Sequence, residues 1–204
     1  MIDVIDYRAG NGPSVMYALE HLGLPARLVS SPEVVATSER LVLPGVGSAG
    51  ATRASLAELD LVGALRERVL SDGVPFLGIC IGLQVLFEHS AEGDVTTLGW
   101  LPGTVRRFPR TLRVPQIGWN GVHPTHAHPL WAGLPDVAHC YFVNSYYAVP
   151  ADHDDVLGIT DYGEEFCSMV AHANVAATQF HAEKSGQLGL RVLTNFAAWD
   201  GAPC

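Results

Sequence analysis

The chain has 204 residues, 48% of them apolar, and a formal charge of −9 from 12 basic and 21 acidic side chains. That length supports one domain with a sizeable core, and the negative charge disfavours a nucleic-acid backbone or an anionic membrane surface as main partner, since both recruit basic patches. Asp3 and Asp6 punctuate the first apolar run and no apolar stretch reaches bilayer-spanning length, so neither a secretory leader nor a membrane span is read and a cytoplasmic chain is expected.

MIDVID opens as a strand and enters a glycine-containing turn, after which Val15, Ala18, Leu19 and Leu22 recur at helical spacing until Gly23. ARLVS (26–30) and RLVLP (40–44) are short strand candidates separated by a polar Ser-Pro-Glu stretch. Leu56, Leu59, Val62, Leu65 and Val69 mark one long helix closed by Asp72-Gly73. PFLGIC (75–80) reads as a strand buried on both faces, followed by a helix carrying Leu83, Leu86 and Phe87. Strands alternating with helices predict a doubly wound α/β core in the first ninety residues. From about residue 100 to 180 the runs TVRRF, HCYFVNSYYAV, VLGITDY, FCSMVAH and VAATQF, split by turn residues, predict a more antiparallel layer. A last helix presents Leu188, Val192, Leu193, Phe196 and Trp199 on one side. Without repeats or a low-complexity linker, residues 1–204 read as a single domain.

GICIG (78–82) lies where the buried strand meets the next helix. A nucleophile on such a turn is lifted clear of the sheet, flanking glycines relieve the crowding, and helix N-terminal amides favour a thiolate and a developing oxyanion. Cys80 holds that place; the alternative is a buried structural cysteine beside two turn glycines. Cys80, Cys140, Cys167 and Cys204 have no paired spacing, which argues for free thiols over disulfides or zinc. His123, His126 and His128 in HPTHAHP lack neighbouring carboxylates and read as a surface loop, and Arg106, Arg107, Arg110 and Arg113 as a solvated face or a meeting point for an acidic partner. His181 precedes Glu183 by two residues, so in extended backbone both project to one side. Cys80, His181 and Glu183 thus form a candidate nucleophile, base and orienting acid, although a lone His181 also suits a structural role. PGVGSAG (44–50) has the glycine spacing of a pyrophosphate cradle, a pattern shared by any backbone that must approach a ligand closely. It follows a late strand instead of opening the first βα unit, and Asp72 falls after the long helix and not at a strand end, both contrary to a dinucleotide site.

GICIGLQ followed far downstream by QFHAEKS resembles the class I glutamine amidotransferases. DYRAGNGPSV, LPGVGSAG, VPQIGWN, YFVNSYY and QFHAEKSGQLGLRVLTNF, in order over residues 2–199, are similar to the glutaminase subunits of imidazole glycerol phosphate synthases. The resemblance implies an α/β, flavodoxin-like fold with a mixed, mostly parallel central sheet flanked by helices and antiparallel strands in the second half. It implies a glutaminase with no cofactor and no metal, in which Cys80, His181 and Glu183 hydrolyse glutamine. The same resemblance makes Gly45, Val46 and Gly47 the oxyanion strand, sets Gln84 and Glu92 near the amino-acid end of the substrate, and has Ser145 and Tyr146 line it with backbone. From the residues alone, Gln84 also reads as an exposed helix position and Glu92 as a solvated loop residue. A separate (β/α)8 cyclase barrel is the implied partner in a heterodimer, because this length cannot hold that barrel as well. Trp119, Asn120, Tyr141 and Lys184, the only lysine, match the subunit contact, with core aromatics as the other reading of Trp119 and Tyr141. Ala182, Asn144 and Gln116 depart from the family, which usually has proline at the first position and histidine at the other two.

Overall fold

A computed structural model describes residues 1–202; Cys204, among the thiols expected to be free, lies outside the described residues. Strand β1 (Ile2–Ile5) is buried along its length and leads to α1 (Gly12–His21), which has a proline in its first turn, where the missing N–H costs nothing, and ends before Gly23 at φ 67°. After β2 (Ala26–Val29), the Ser-Pro-Glu stretch folds into one turn of helix, α2 (Pro32–Val35), instead of the predicted polar connection. β3 (Leu41–Leu43) precedes α3 (Ala49–Glu58), capped by Ser48, whose side chain accepts the Ala51 N–H at 3.3 Å. The single long helix predicted here is two: Asp60, at φ 55°, breaks the chain between α3 and α4 (Leu61–Arg66), which continues as a wide turn over Glu67–Ser71.

Next come β4 (Phe76–Ile79) and a helix of only four residues, α5 (Ile81–Gln84), so Leu86 and Phe87 fall beyond it. The remainder is β5 (His89–Ser90), β6 (Val95–Thr96), β7 (Gly103–Arg107), β8 (Gln116–Pro124), β9 (Ala138–Asn144), β10 (Tyr146–Pro150), β11 (Val156–Asp161), β12 (Glu165–His172), β13 (Val175–Thr178) and α6 (Gly186–Ala198). The sheet runs β2-β1-β3-β4-β13-β12-β10-β7-β5-β6. Its first five strands are mutually parallel, whereas β12, β10 and β7 pair antiparallel, matching the predicted change of character. Strand alternation divides the core in two. Val42, Leu77 and Ile79 face Val15 and Leu19 of α1 and Leu193 and Phe196 of α6. Leu41, Leu43 and Phe76 face Leu56 of α3 and Leu61 and Leu65 of α4 on the opposite side.

Strand β8 escapes sequence reading because Gly118, at φ 139°, and Gly121 dilute its alternation. It pairs antiparallel with β9 from Gln116↔Asn144 to Val122↔Ala138. Ala138, Cys140, Phe142 and Asn144 of the ribbon point inward, leaving Ile117, Trp119 and Val143 exposed. His123 belongs to β8, and His128 is buried, accepting the Leu130 N–H through Nδ1; of the predicted histidine loop only His126 is a solvated loop residue. Burial, with some repulsion from His126, depresses the His128 pKa to about 4, so this imidazole stays neutral. The four clustered arginines are exposed on β7 and the turn after it. Among the described residues no helix is long and apolar enough to cross a membrane.

Candidate active site

Four strand ends build the site at the carboxyl edge of the parallel strands, where open α/β sheets bind ligands. Cys80 directly follows β4 with φ 56° and ψ −103°, a conformation that a residue with a side chain tolerates only when its surroundings over-determine it. They do so here through two glycines. A Cβ on Gly82 would lie 2.1 Å from the Leu43 carbonyl oxygen, and one on Gly78 2.5 Å from the Gly82 oxygen. The chain therefore turns tightly against β3, and the Cys80 N–H is tied to the Thr178 carbonyl at 2.7 Å. Ile81, first in α5, has no intrahelical acceptor for its N–H. With four residues in α5, that local amide matters more than any macrodipole.

His181 leaves the end of neighbouring β13, three residues beyond Thr178, and lines the same cavity as Cys80, near enough for the two groups to influence each other's charge. Its Nδ1 lies 2.8 Å from Glu183 Oε1, with the Glu183 side chain only 1% exposed. The pair is adjacent, but a short turn of helix, Ala182–Lys184, and not the predicted alternation of extended backbone makes it so. Two backbone ties hold the ring: its N–H donates to the Tyr141 carbonyl at 2.9 Å, and its carbonyl accepts from Ser185 Oγ at 2.7 Å. Burial alone would lower the His181 pKa, but the contacts with Cys80 and Glu183 outweigh it and push the value up to about 10. At neutral pH the imidazole is thus a proton carrier beside the sulfur. Asn11, missed as a site residue although it lies within DYRAGNGPSV, donates from Nδ2 to the same Glu183 oxygen at 3.0 Å.

A cavity of about 260 Å³ opens over the sulfur, lined by Val46, Gly47, Cys80, Gln84, Glu92, Ser145, Tyr146 and His181 among others. Gly47 adopts φ 96°, and Gly45 packs behind the lining, where a Cβ would meet Ile81 Cγ2 at 1.7 Å and the Tyr7 hydroxyl at 2.8 Å. The glycine spacing thus serves close backbone approach beside the cysteine. Gln84 is buried, not an exposed helix residue, and its Nε2 donates to the Tyr146 carbonyl and to Gln179 Oε1, each at 3.0 Å. Glu92 is held by the Ala49 N–H at 3.0 Å, so its carboxylate edges the cavity instead of drifting in a loop.

Of the candidate partner residues, Trp119 and Asn120 stand on β8, Tyr141 on β9 and Lys184 in the turn after His181. Trp119 is 58% exposed and meets Tyr141 edge-on at 6.0 Å between centroids, which excludes a core role for Trp119. Asn120 donates to the Asp161 carbonyl at 2.7 Å, and Lys184 is exposed. Val143 joins the two regions, since it lines the cavity and stands on the exposed ribbon face with Ile117.

The family model described as "Glutamine amidotransferase class-I" matches residues 3–198. The chain is 48% identical over 197 residues to "Imidazole glycerol phosphate synthase subunit HisH" of Dehalococcoides mccartyi, covering 96% of both chains. It is 50% identical over 198 residues to the protein of that name in Herpetosiphon aurantiacus, covering 96% of this chain and 93% of the relative. Among solved structures, one described as "Crystal structure of glutamine amidotransferase" shares the fold with a TM-score of 0.76 at 21% identity, covering 97% of this chain and 99% of the other. The elbow cysteine, the histidine–carboxylate pair and a match spanning nearly the whole sequence agree: this chain belongs to the class-I glutamine amidotransferase family.

Proposed function

We propose that residues 1–204 form a single glutamine amidotransferase domain, the glutaminase subunit of an imidazole glycerol phosphate synthase working in cytoplasmic histidine biosynthesis. The observation that supports this most is that Cys80 and His181 line one cavity, with Glu183 behind the imidazole, and that the cavity shares Val143 with the exposed ribbon. Cys80 Sγ attacks the side-chain carbonyl carbon of glutamine. The oxyanion that forms is stabilised by the Ile81 N–H and by backbone amides of Val46 or Gly47. The protonated His181 gives its proton to the departing nitrogen, ammonia leaves, and a glutamyl thioester remains. Water then loses a proton to His181 as it attacks the thioester, releasing glutamate and restoring the thiolate. Glu183 holds the ring orientation through both steps.

Ammonia in bulk water at neutral pH is mostly ammonium, a poor nucleophile, so delivery through a docked cyclase barrel explains an exposed apolar face next to the site. The barrel consumes the ammonia with a phosphorylated ribulosyl-formimino precursor, giving imidazole glycerol phosphate and an aminoimidazole carboxamide ribotide. Co-purification with a candidate cyclase, followed by glutamate assays with and without the ribotide, tests this reading. Rapid glutamate release is expected only from the ligand-bound complex; strong turnover by the isolated chain contradicts it. Trp119→Ala should weaken the complex by about 2 kcal/mol, roughly thirtyfold in Kd. Its far-UV circular dichroism should match the parent, because the ring lies outside the core. Titration calorimetry against the cyclase checks both the loss and its size.

A further inference from the structure

Gln179 is fully buried one residue past β13, in the bend that leads to His181. Both ends of its amide are engaged. Nε2 donates to the Cys80 sulfur at 3.7 Å, while Oε1 accepts from Gln84 Nε2 at 3.0 Å. The second contact fixes the first: with Oε1 committed to a donor, the NH2 group must face the sulfur. Gln84 in turn is anchored on the Tyr146 carbonyl and lines the cavity. The backbone is held as well, since the Gln179 N–H donates to the Ser168 carbonyl at 2.9 Å. A buried amide has no reason to aim its donor at sulfur for packing alone, because burying a polar group without a firm partner is costly.

We propose that Gln179 is a further catalytic residue, donating from Nε2 to the Cys80 sulfur so that the nucleophile is held as thiolate and aimed at the cavity wall formed by Gln84 and Tyr146. The sulfur then has two donors of different kinds. His181 supplies a proton that moves during the reaction, whereas Gln179 supplies one that never leaves. The first serves the leaving group; the second stabilises the charged sulfur before attack and again as glutamate departs from the thioester. This role rests on the proposed function, because it assigns Gln179 to the same thioester chemistry.

The test separates the two claims by reading the sulfur directly. Alkylation of Cys80 by iodoacetamide is followed against pH in the full-length chain, with peptide mass spectrometry distinguishing Cys80 from Cys204 and from Cys140 and Cys167. Those two thiols are buried, which pushes each up to about 12 and keeps them slow. Gln179→Met keeps the bulk and removes the donor; Gln179→Glu keeps the acceptor for Gln84 and turns a carboxylate toward the sulfur. The pH of half-maximal alkylation should rise by about one unit in the first variant and further in the second. In the complex with a cyclase, kcat for glutamine should fall about tenfold to a hundredfold in Gln179→Met while KM stays within about threefold. Alkylation profiles that overlay the parent's overturn the proposal, and Gln179→Glu alone decides if Gln179→Met fails to fold. A parent chain that alkylates normally but never hydrolyses glutamine even in the ribotide-loaded complex overturns the proposed function and leaves the sulfur–amide contact standing.

Discussion

Cys80→Ala should abolish product formation from glutamine, by about ten-thousandfold or more, while product formation from added ammonia stays within about twofold of the parent complex. The asymmetry follows from what the substitution removes. Without the sulfur no thioester forms, and neither His181 nor the backbone amides can supply a bond to carbon. The cyclase reaction needs only ammonia, from whatever source. The substitution should leave the fold intact, because alanine keeps the Cβ at φ 56° and loses one atom from a cavity wall. Steady-state assays of the complex with each nitrogen source check it. Glutamine-dependent turnover that survived in Cys80→Ala would remove the nucleophile from the mechanism.

Gly82→Ala should be among the most damaging single methyls in the described residues. Its Cβ would sit 2.1 Å from the Leu43 carbonyl oxygen, and that carbonyl belongs to a central strand that cannot retreat without unpairing from β4. Relief must come from the elbow, which moves Cys80 away from His181. A cost of about 3 kcal/mol or more is expected, lowering the melting temperature by roughly 6–12 °C for a chain of this size. Glutamine-dependent activity should fall further than stability alone explains. Gly63→Ala is the matched control. It lies in α4 with nothing within 4 Å of an added Cβ, so the same methyl should raise stability by roughly 0.5–1 kcal/mol. Calorimetric melting of both variants decides it; equal effects would mean that the elbow is not sterically locked.

The contrast between those glycines also marks what a sequence can disclose. GICIG revealed the elbow because its requirement is local: a strand, a turn and a helix start in consecutive residues. His181 and Glu183 were readable because they stand two residues apart, although a turn of helix and not extended backbone makes them neighbours. Partnerships across the chain left weaker traces. Glu92 looked like a solvated loop residue because its partner, the Ala49 N–H, is 43 positions away, and Asn11 reaches Glu183 over 172 positions. Gln179 stood in plain view within QFHAEKS, yet only the fold brings it to Cys80. The alternation of the main strands was visible, but β8 was not, since its two glycines erase the period-two pattern that reading depends on. One helix was predicted where two exist because Leu56, Leu59, Val62, Leu65 and Val69 keep helical spacing across Asp60, and apolar periodicity carries no mark of a left-handed residue between them.

The mechanism turns on one sulfur, that of Cys80, reacting with the side-chain carbonyl of glutamine while His181, backed by Glu183, moves the proton. A glutamine analogue bearing an electrophilic diazoketone in place of the carboxamide tests it most directly, applied to the ribotide-loaded complex and followed by peptide mass spectrometry. One label per chain is expected, on Cys80, with labelling slowed by glutamine and lost in Cys80→Ala. Inactivation with the label on any other residue, or labelling of Cys80 at the same rate whether or not glutamine is present, would contradict it.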